Sequence, residues 1–257
     1  LISAFKNQIY PADNLEFILV NDHSTDATLD FLKSSKLPNL NIVNMPNGQF
    51  GKKKGIAKAV QIAKGEIILS SDADCSFSSN WVRTMVSYFY NTNVMLVSGP
   101  VSFHRQDGLF ESWQALEFTS LIGSGAGAIG IGNAIFCNGA NMAYRKSIFL
   151  EVNNFLTDKS VSGDDVFLLH RVKQKYPKSI VFVKNEAAIV TTHAMKSIKG
   201  FINQRKRWTA KSSGYKDGAS IYIALLVLCT NLVGVILMGL FLFDPYYFNY
   251  FLYYFSI

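Results

Sequence analysis

The feature that most restricts how this chain can fold is a long apolar segment near its end. The segment runs from Ile221 to Phe243 and contains no charged residue. About 23 residues, at about 1.5 Å of helical rise each, can cross a hydrocarbon core of about 30 Å. A buried helix of a soluble protein is the alternative, but such helices usually carry a polar stripe, and here only Tyr222, Thr230 and Asn231 are polar. The segment therefore predicts a transmembrane helix over residues 220–243.

The two ends of the sequence indicate a fragment of a longer protein. A second apolar and aromatic run, Tyr246 to Ile257, is too short to cross a bilayer. We expect it to be the truncated start of a second membrane segment or an interfacial aromatic segment. The chain begins without Met, with a helical pattern that ends at Pro11 and no strand before it. We therefore expect an internal fragment whose sheet lacks its first strand.

Composition excludes a disordered chain, a disulfide framework and a structural zinc site. Of the 257 residues, 49% are hydrophobic and 17% are charged, which is typical of a chain with a packed core. The three cysteines, Cys75, Cys137 and Cys229, are far apart and form no CxxC pair, which indicates a reducing compartment. The four histidines have no metal-ligand spacing.

Short apolar runs alternate with helical patterns over about the first hundred residues. The runs at 16–20, 41–45, 66–71 and 94–98 predict strands, and helical patterns follow the first three at 27–34, 52–64 and 81–90. This alternation predicts an α/β fold with a doubly wound sheet. A later helix is expected over 106–122, followed by a Gly-rich stretch that indicates either a flexible loop or close packing. Two late strands are expected at 180–183 and 187–191.

Polar groups follow the predicted strands, at the sheet edge where open α/β folds bind ligands. Asp22 follows the first strand, and Asp72 and Asp74 follow the third. Side chains two apart in an extended segment share a face, so these last two carboxylates predict a Mg²⁺ or Mn²⁺ site completed by substrate phosphates. A solvated acidic turn is the alternative. Lys52, with its two lysine neighbours, either faces the same phosphates or caps a surface helix.

Two further motifs admit a structural and a functional interpretation. Asp164 and Asp165 open a helix, either as a cap that complements the helix dipole or as a general base that deprotonates a hydroxyl. Basic residues precede the apolar segment in Gln204-Arg-Lys-Arg-Trp208. They satisfy the positive-inside rule, with Trp208 as an interface anchor. In the functional interpretation Arg207 neutralises a diphosphate and Trp208 stacks on a sugar or lines an acceptor channel.

The order of these motifs is VNDHSTD, GKKKG, DAD, GDD and QRKRW ahead of an apolar span. It resembles the family 2 inverting glycosyltransferases of the GT-A fold, in the membrane-anchored branch with cellulose, chitin and hyaluronan synthases. The resemblance covers about residues 1 to 215 and implies a GT-A catalytic domain there. GDD stands where the family more commonly has Thr-Glu-Asp.

The resemblance also implies a role for each motif residue. Asp22 would contact the nucleotide base, Lys52 would hold the nucleotide, Asp72 would face the ribose and Asp74 the metal. Asp165 would be the catalytic base, with Asp164 beside it. The remaining positions would contact the donor sugar or the acceptor: Asn138, Gly139 and Asn141 in one loop, and Gln204, Arg207 and Trp208 on one face of a helix. Arg205 and Lys206 would point away from that face.

The implied function is inverting transfer of a sugar from a nucleotide-diphosphate sugar to an acceptor hydroxyl, at the cytoplasmic face of a membrane. The acceptor would be a glycan or lipid-linked, in polysaccharide or cell-envelope glycan synthesis. A nucleotidyltransferase and a catalytically silent membrane scaffold are the alternatives. The net charge of +7 is concentrated at 52–54 and 196–216, beside a phosphate site and a membrane, which argues against nucleic acid as a partner.

Overall fold

The computed structural model describes residues 1–104, 108–152, 164–212 and 214–256, in two compact units, Leu1–Gly214 and Tyr215–Ile257. The helices are α1 Ile2–Lys6, α2 Thr28–Ser34, α3 Lys52–Ile62, α4 Trp81–Ser87, α5 Leu109–Gly130, α6 Lys146–Val152, α7 Asp164–Lys175, α8 Ile198–Ser212, α9 Gly218–Phe243 and α10 Phe248–Ser256. The strands are β1 Phe17–Asn21, β2 Leu40–Asn44, β3 Ile67–Ser70, β4 Ser76–Phe77, β5 Leu96–Ser98, β6 Val101–Phe103, β7 Met142–Arg145, β8 Ile180–Phe182 and β9 Val190–Thr192.

The first unit is an α/β fold, as the alternation of strands and helices predicts. β1 and β2 pair in parallel, with Phe17 opposite Leu40. A four-stranded sheet has the order β3-β7-β5-β8, and a three-stranded sheet the order β4-β9-β6. The sheets are mixed, because β7 is antiparallel to both β3 and β5 while β5 and β8 are parallel. The two late strands pair with different sheets and not with each other.

The core of the first unit lies where α4 and α5 cover these strands. Trp81 and Met85 from α4, Phe118 from α5 and Val97 from β5 are all buried in one hydrophobic cluster. Burial of large apolar side chains is the main favourable term in folding. The cluster therefore fixes α4 and α5 against the strands, and with them the loops that follow.

The Gly-rich stretch is helical, so the expectation of a flexible loop is wrong and close packing is the correct alternative. α5 continues through it to Gly130. A Cβ atom at Gly125 would lie 3.1 Å from the ring of Phe136 and 3.2 Å from the Phe136 carbonyl oxygen. Glycine is therefore required there by the approach of another segment. The N-terminal helix also differs from expectation, because it ends at Lys6 and not at Pro11.

The second unit consists of the long apolar helix and a shorter one packed on it. The helix predicted over 220–243 is confirmed, and α9 begins where the Asp217 carboxylate accepts a hydrogen bond from the Ser220 backbone N–H, at 2.9 Å. Its length and composition would allow it to cross a membrane, and nearly all of its side chains are exposed. The hydroxyl of Tyr254 on α10 donates to the carbonyl of Thr230 on α9, at 2.7 Å. The final segment is therefore a helix folded back along α9.

Candidate active site

The carboxyl ends of β1 and β3 are joined by the start of α3. The Asp22 carboxylate after β1 accepts hydrogen bonds from the backbone N–H of Gly51, at 2.9 Å, and from His23 Nδ1, at 3.0 Å. The hydrogen bond from Gly51 has the larger effect and that from His23 the smaller, and together they hold the pKa of Asp22 below its usual value. Lys52 Nζ lies 2.6 Å from Asp72 Oδ1 after β3. Asp22, Lys52 and Asp72 therefore form one polar rim that joins the ends of β1 and β3, two strands of different sheets.

A pair of rings lies beside Asp22. The imidazole of His23 and the ring of Phe50 have centroids 4.3 Å apart, and the Phe50 side chain is largely exposed. His23 has a φ of 60°, in the left-handed region, so this pair depends on an uncommon backbone conformation. The arrangement provides an aromatic surface, exposed at Phe50, next to the Asp22 carboxylate.

Asp72, Ala73 and Asp74 form a turn and not an extended segment, so the expectation that the two carboxylates share a strand face is wrong. The backbone N–H of Cys75 donates to the Asp72 carbonyl at 3.2 Å and closes this turn. Asp74 is exposed, and its Oδ2 accepts a hydrogen bond from the Thr192 hydroxyl at 2.9 Å. Burial raises the pKa of the Cys75 thiol to about 11, so this buried thiol stays protonated.

Two histidines that spacing does not connect meet near Asp74. β6 and β9 run parallel with Phe103 opposite Thr192, so the residues that follow them, His104 and His193, become neighbours. Their ring centroids are 4.7 Å apart. Asp72 and Asp74 are the carboxylates here that could contribute to a divalent-ion site. Among the residues that the structure describes, no group of three or more His, Cys, Asp or Glu could hold a metal. Two carboxylates by themselves are an incomplete ligand set for such an ion.

Asp165 lies in the first turn of α7 and is tied to the end of β3. Its Oδ2 accepts a hydrogen bond from the backbone N–H of Gly139 at 3.1 Å, and its Oδ1 accepts one from the N–H of Val166 at 2.9 Å. The carbonyl of Gly139 accepts a hydrogen bond from the hydroxyl of Ser70, the last residue of β3, at 2.7 Å. Asp165 is therefore two hydrogen bonds away from the strand that precedes Asp72. The side chain of Asp164 lies outside the described residues.

Gly139 allows a close approach of the backbone to Asp165 at this junction. A Cβ atom on it would lie 3.2 Å from both Cβ and Oδ2 of Asp165. Asn138, beside it, is half-buried, and its side-chain oxygen accepts a hydrogen bond from the Ala140 N–H at 3.0 Å. The loop of Asn138 and Gly139 therefore positions Asp165 through the backbone.

Asn141 belongs to the core, which corrects its interpretation as a donor or acceptor contact. Its side chain is fully buried. The amide oxygen accepts a hydrogen bond from Trp81 Nε1 at 3.0 Å, and the amide nitrogen donates to the carbonyls of Pro100 and Ala188, each at 2.7 Å. Both amide hydrogens are used, so Asn141 cross-links three segments and has no donor left for a ligand.

We expect Asn141→Ala to lower the free energy of unfolding by roughly 2–4 kcal/mol, because it leaves Trp81 Nε1 and the Ala188 carbonyl without this partner, while the Pro100 carbonyl keeps its bond from the Val190 N–H. Urea titration in detergent, followed by tryptophan fluorescence, measures this loss. Asn138→Ala is the matched control, since it removes a single hydrogen bond from a half-buried side chain, and we expect it to cost about 1 kcal/mol. Equal, small losses for both variants would contradict the structural role of Asn141.

The structure distributes the QRKRW motif on α8 differently from the expectation. Trp208 packs against the core, with its ring 6.1 Å from that of Phe118 on α5, and Arg207 is exposed. Arg205 does not point away, since it forms an ion pair with Glu117 on α5 and its guanidinium lies 4.1 Å from the centroid of the Trp208 ring. The role of Arg205 as a purely topological charge is therefore corrected.

Gln204, Lys206 and Arg207 complete the motif. Gln204 is half-buried, while Lys206 and Arg207 are exposed. The structure therefore links Asp22, Lys52, Asp72 and Asp165 to the ends of β1 and β3. Trp208 of QRKRW instead packs against Phe118 on α5.

Comparison with known proteins assigns the first 152 residues to a family. These residues match the family described as Glycosyl transferase family 2. The chain belongs to glycosyl transferase family 2. The matched region includes Asp22, Lys52, Asp72 and Asp74, whereas Asp165 and α8 lie beyond it.

Relatives of this family 2 chain support the same fold. Glycosyltransferase AglE of Haloferax volcanii is 29% identical over 109 residues, which is 42% of this chain and 36% of AglE. Mannosyltransferase PcManGT from Pyrobaculum calidifontis, solved with GDP-Man and Mn²⁺, has a TM-score of 0.61 and 18% identity over 80% of this chain and 55% of its own. S. aureus TarS with UDP-GlcNAc has a TM-score of 0.57 and 16% identity over 77% of this chain and 54% of its own. The GT-A fold is confirmed, and this chain spans about a third to about half of these proteins.

Proposed function

We propose that this chain is the catalytic part of an inverting glycosyltransferase that uses a nucleotide-diphosphate sugar and transfers the sugar to an acceptor hydroxyl. The observation that carries the proposal is the polar network at the ends of β1 and β3. Asp22, Lys52 and Asp72 form a rim there, and Asp165 is bound to the end of β3 through Gly139. Membership of family 2 supports the reaction class.

The rim is suited to the nucleotide part of the donor. Lys52 supplies a positive charge for the diphosphate, and the exposed Asp22 carboxylate can accept hydrogen bonds from base N–H groups. The rings of His23 and Phe50 beside Asp22 offer a surface on which a base can stack. The two solved neighbours were crystallised with GDP-Man and with UDP-GlcNAc, which supports a nucleotide-sugar donor here.

A divalent metal, Mg²⁺ or Mn²⁺, fits the donor set at Asp74. Mg²⁺ is usually held by one or two carboxylates together with substrate phosphates, and Asp72 and Asp74 provide those carboxylates. Such an ion, when bound, would offset the charge of the leaving diphosphate. Asp74 is exposed, so a metal ion can reach it, and the hydroxyl of Thr192 orients its carboxylate. The incomplete protein ligand set also agrees with completion by the donor.

Asp165 is the general base in this proposal. Its carboxylate is held by two backbone N–H groups, which fixes its direction before the acceptor arrives. It takes the proton of the acceptor hydroxyl as the oxygen attacks the anomeric carbon from the face opposite the leaving group. One displacement inverts the configuration, so no enzyme nucleophile is required, in agreement with the protonated, buried Cys75.

The membrane part of the proposal rests on α9 and the charges before it. Residues 195–216 contain seven Lys and Arg and no acidic residue. If α9 crosses a membrane, the positive-inside rule orients the first unit toward the cytoplasm, where nucleotide sugars are made. The acceptor is then a glycan or a lipid-linked glycan at the inner membrane, in polysaccharide or cell-envelope glycan synthesis, with no part for nucleic acid.

The test is nucleotide release by full-length protein in membranes, supplied with a panel of nucleotide sugars, an acceptor extract and Mn²⁺ or Mg²⁺. We expect one donor to release nucleoside diphosphate. Release from none of them would contradict the proposed reaction.

Lys52→Gln tests the donor rim within the same assay. The Lys52–Asp72 pair is largely exposed, and such pairs contribute about 0–1 kcal/mol to folding. We therefore expect an unchanged melting temperature and a KM for the donor raised roughly tenfold, since a charged hydrogen bond is worth about 1.5–3 kcal/mol. Lys58→Gln, at an exposed position further along α3, is the control and should leave KM unchanged. Identical donor KM values for both variants would remove Lys52 from the site.

A further inference from the structure

α5 and α8 carry an exposed apolar surface, here called the apolar face, made of Leu109, Trp113, Leu116, Ile198 and Ile202. On α5, the first three are 93%, 51% and 72% exposed, and they recur at helical spacing opposite the buried side of the helix. On α8, the two isoleucines are 65% and 45% exposed and are four residues apart. Large side chains this exposed, and this regularly spaced, indicate a contact surface.

The two halves of the apolar face form one surface. The ring of Trp113 lies 5.3 Å from that of Phe201 on α8, between its isoleucine neighbours in sequence. The ring of Phe110 contacts both, with its centroid 6.2 Å from that of Trp113 and 6.0 Å from that of Phe201. The aromatic rings therefore bridge the two helices and make the exposed side chains contiguous.

Polar contacts hold this arrangement in place. Gln114, on the buried side of α5, donates from Nε2 to the Met195 carbonyl at 2.9 Å and accepts from the Met195 N–H at 3.1 Å. Arg205 on α8 pairs with Glu117 on α5. The apolar face is therefore preformed, and a partner would meet it without first ordering the helices.

The charges beside the apolar face are positive. Lys199 and Lys206, on the helix surface next to the two isoleucines of α8, are exposed, and residues 195–216 contain no acidic side chain. An apolar stripe flanked by Lys and Arg is the pattern of a helix at an anionic membrane surface. A second copy that met this surface about a two-fold axis would bring the positive charges of the two α8 helices close together. This like-charge repulsion disfavours a dimer there.

The sequence that follows α8 points to the same partner. Five residues separate Ser212 from Gly218, where α9 begins. Six residue steps, at most about 3.6 Å each, span at most about 22 Å. If α9 is inserted in a bilayer, the end of α8 therefore stays within that distance of the membrane surface.

We propose that the apolar face lies in the interface of an anionic bilayer, with its side chains about 5–10 Å into the headgroup and acyl boundary. This rests on the membrane part of the proposed function. The catalytic unit then has a second attachment to the membrane besides α9. That attachment restricts the unit to acceptors presented at the lipid surface.

Trp113 is a built-in probe of this contact. The full chain is reconstituted in vesicles of phosphatidylglycerol and phosphatidylcholine, with or without bromine on the upper acyl chains. Trp81 is buried and Trp208 is packed against the core, so the difference between wild type and Trp113→Phe isolates the Trp113 emission. We expect that emission to be quenched in the brominated vesicles. Tyr90→Trp in the Trp113→Phe background places a ring at a 90% exposed position after α4, and we expect no quenching there.

The outcomes distinguish this proposal from the membrane part of the proposed function, on which it rests. Failure of the chain to float with the vesicles contradicts the membrane part of the proposed function. Flotation without quenching of Trp113 contradicts the apolar face alone. If Trp113 is instead shielded from aqueous iodide in a dimeric particle, a second copy covers the face and the proposal is wrong. Leu116→Glu should reduce the quenching of Trp113 while flotation persists.

Discussion

Asp165→Asn is expected to lower kcat roughly 10²–10⁴-fold, the usual contribution of a general base. The substitution keeps the size of the side chain, and its remaining oxygen can still accept one of the two hydrogen bonds that Gly139 and Val166 donate. The basicity and one hydrogen bond within the protein are lost, but neither involves the donor, so the donor should bind as before. Single-turnover rates and the dissociation constant of the donor, measured in parallel, separate the two effects.

Two variants serve as controls for this prediction. Asp164→Asn changes the neighbouring carboxylate and should retain most of the turnover. Gly139→Ala leaves the base chemically intact but requires Asp165 to move, because the new Cβ would be 3.2 Å from its carboxylate oxygen. It should therefore lower kcat without changing donor affinity. A large loss in Asp164→Asn with a small one in Asp165→Asn would assign the base to the other residue.

The strands that form along the first half of the chain could be predicted because their signals are local. The apolar runs around β1, β2 and β3 are short, continuous and followed by helical patterns, which is what a buried strand in an α/β fold requires. The antiparallel insertion of β7 between β3 and β5 could not be predicted, since pairing is decided by distant partners. The Gly-rich end of α5 was ambiguous for the same reason, because Phe136 decides it.

The site shows the same division between local and long-range information. Asp22, Lys52 and Asp72 were identifiable because each follows a strand or opens a helix beside one. The contact of His104 with His193 could not be identified from the sequence, because it depends on β6 and β9 being parallel neighbours. Asn141 lies only two residues after Gly139, yet its amide is used by the core. Sequence proximity to a motif therefore does not distinguish a ligand contact from a structural hydrogen bond.

QRKRW illustrates how residues of one motif divide between roles. Helical spacing correctly relates Gln204 to Trp208, but it carries no information on which neighbouring helix faces them. Glu117 on α5 draws Arg205 inward, and Trp208 stacks on that guanidinium. Arg207 stays exposed, and exposure is what its proposed contact with a diphosphate requires.

Asp74→Ala is expected to lower metal-dependent turnover by roughly 10²-fold or more. A bound metal contributes several kcal/mol to stabilising charge in a transition state, and each 1.36 kcal/mol is a factor of ten in rate. The fold should be almost unaffected, since Asp74 is exposed and loses only its bond with the Thr192 hydroxyl and a long, weak one from the Cys75 thiol at 3.8 Å. Nucleotide release as a function of Mn²⁺ concentration, beside a thermal melt, measures both effects.

Thr192→Val is the matched control for Asp74, because it removes the same hydrogen bond and keeps the carboxylate. If the bond only orients Asp74, this variant should need a higher Mn²⁺ concentration for half-maximal rate but reach nearly the wild-type maximum. Asp74→Ala should not recover at any Mn²⁺ concentration, because its carboxylate ligand is gone. Full turnover of Asp74→Ala in the presence of a chelator would show that the reaction at this site proceeds without a metal. Asp74 would then serve only in the turn between β3 and β4.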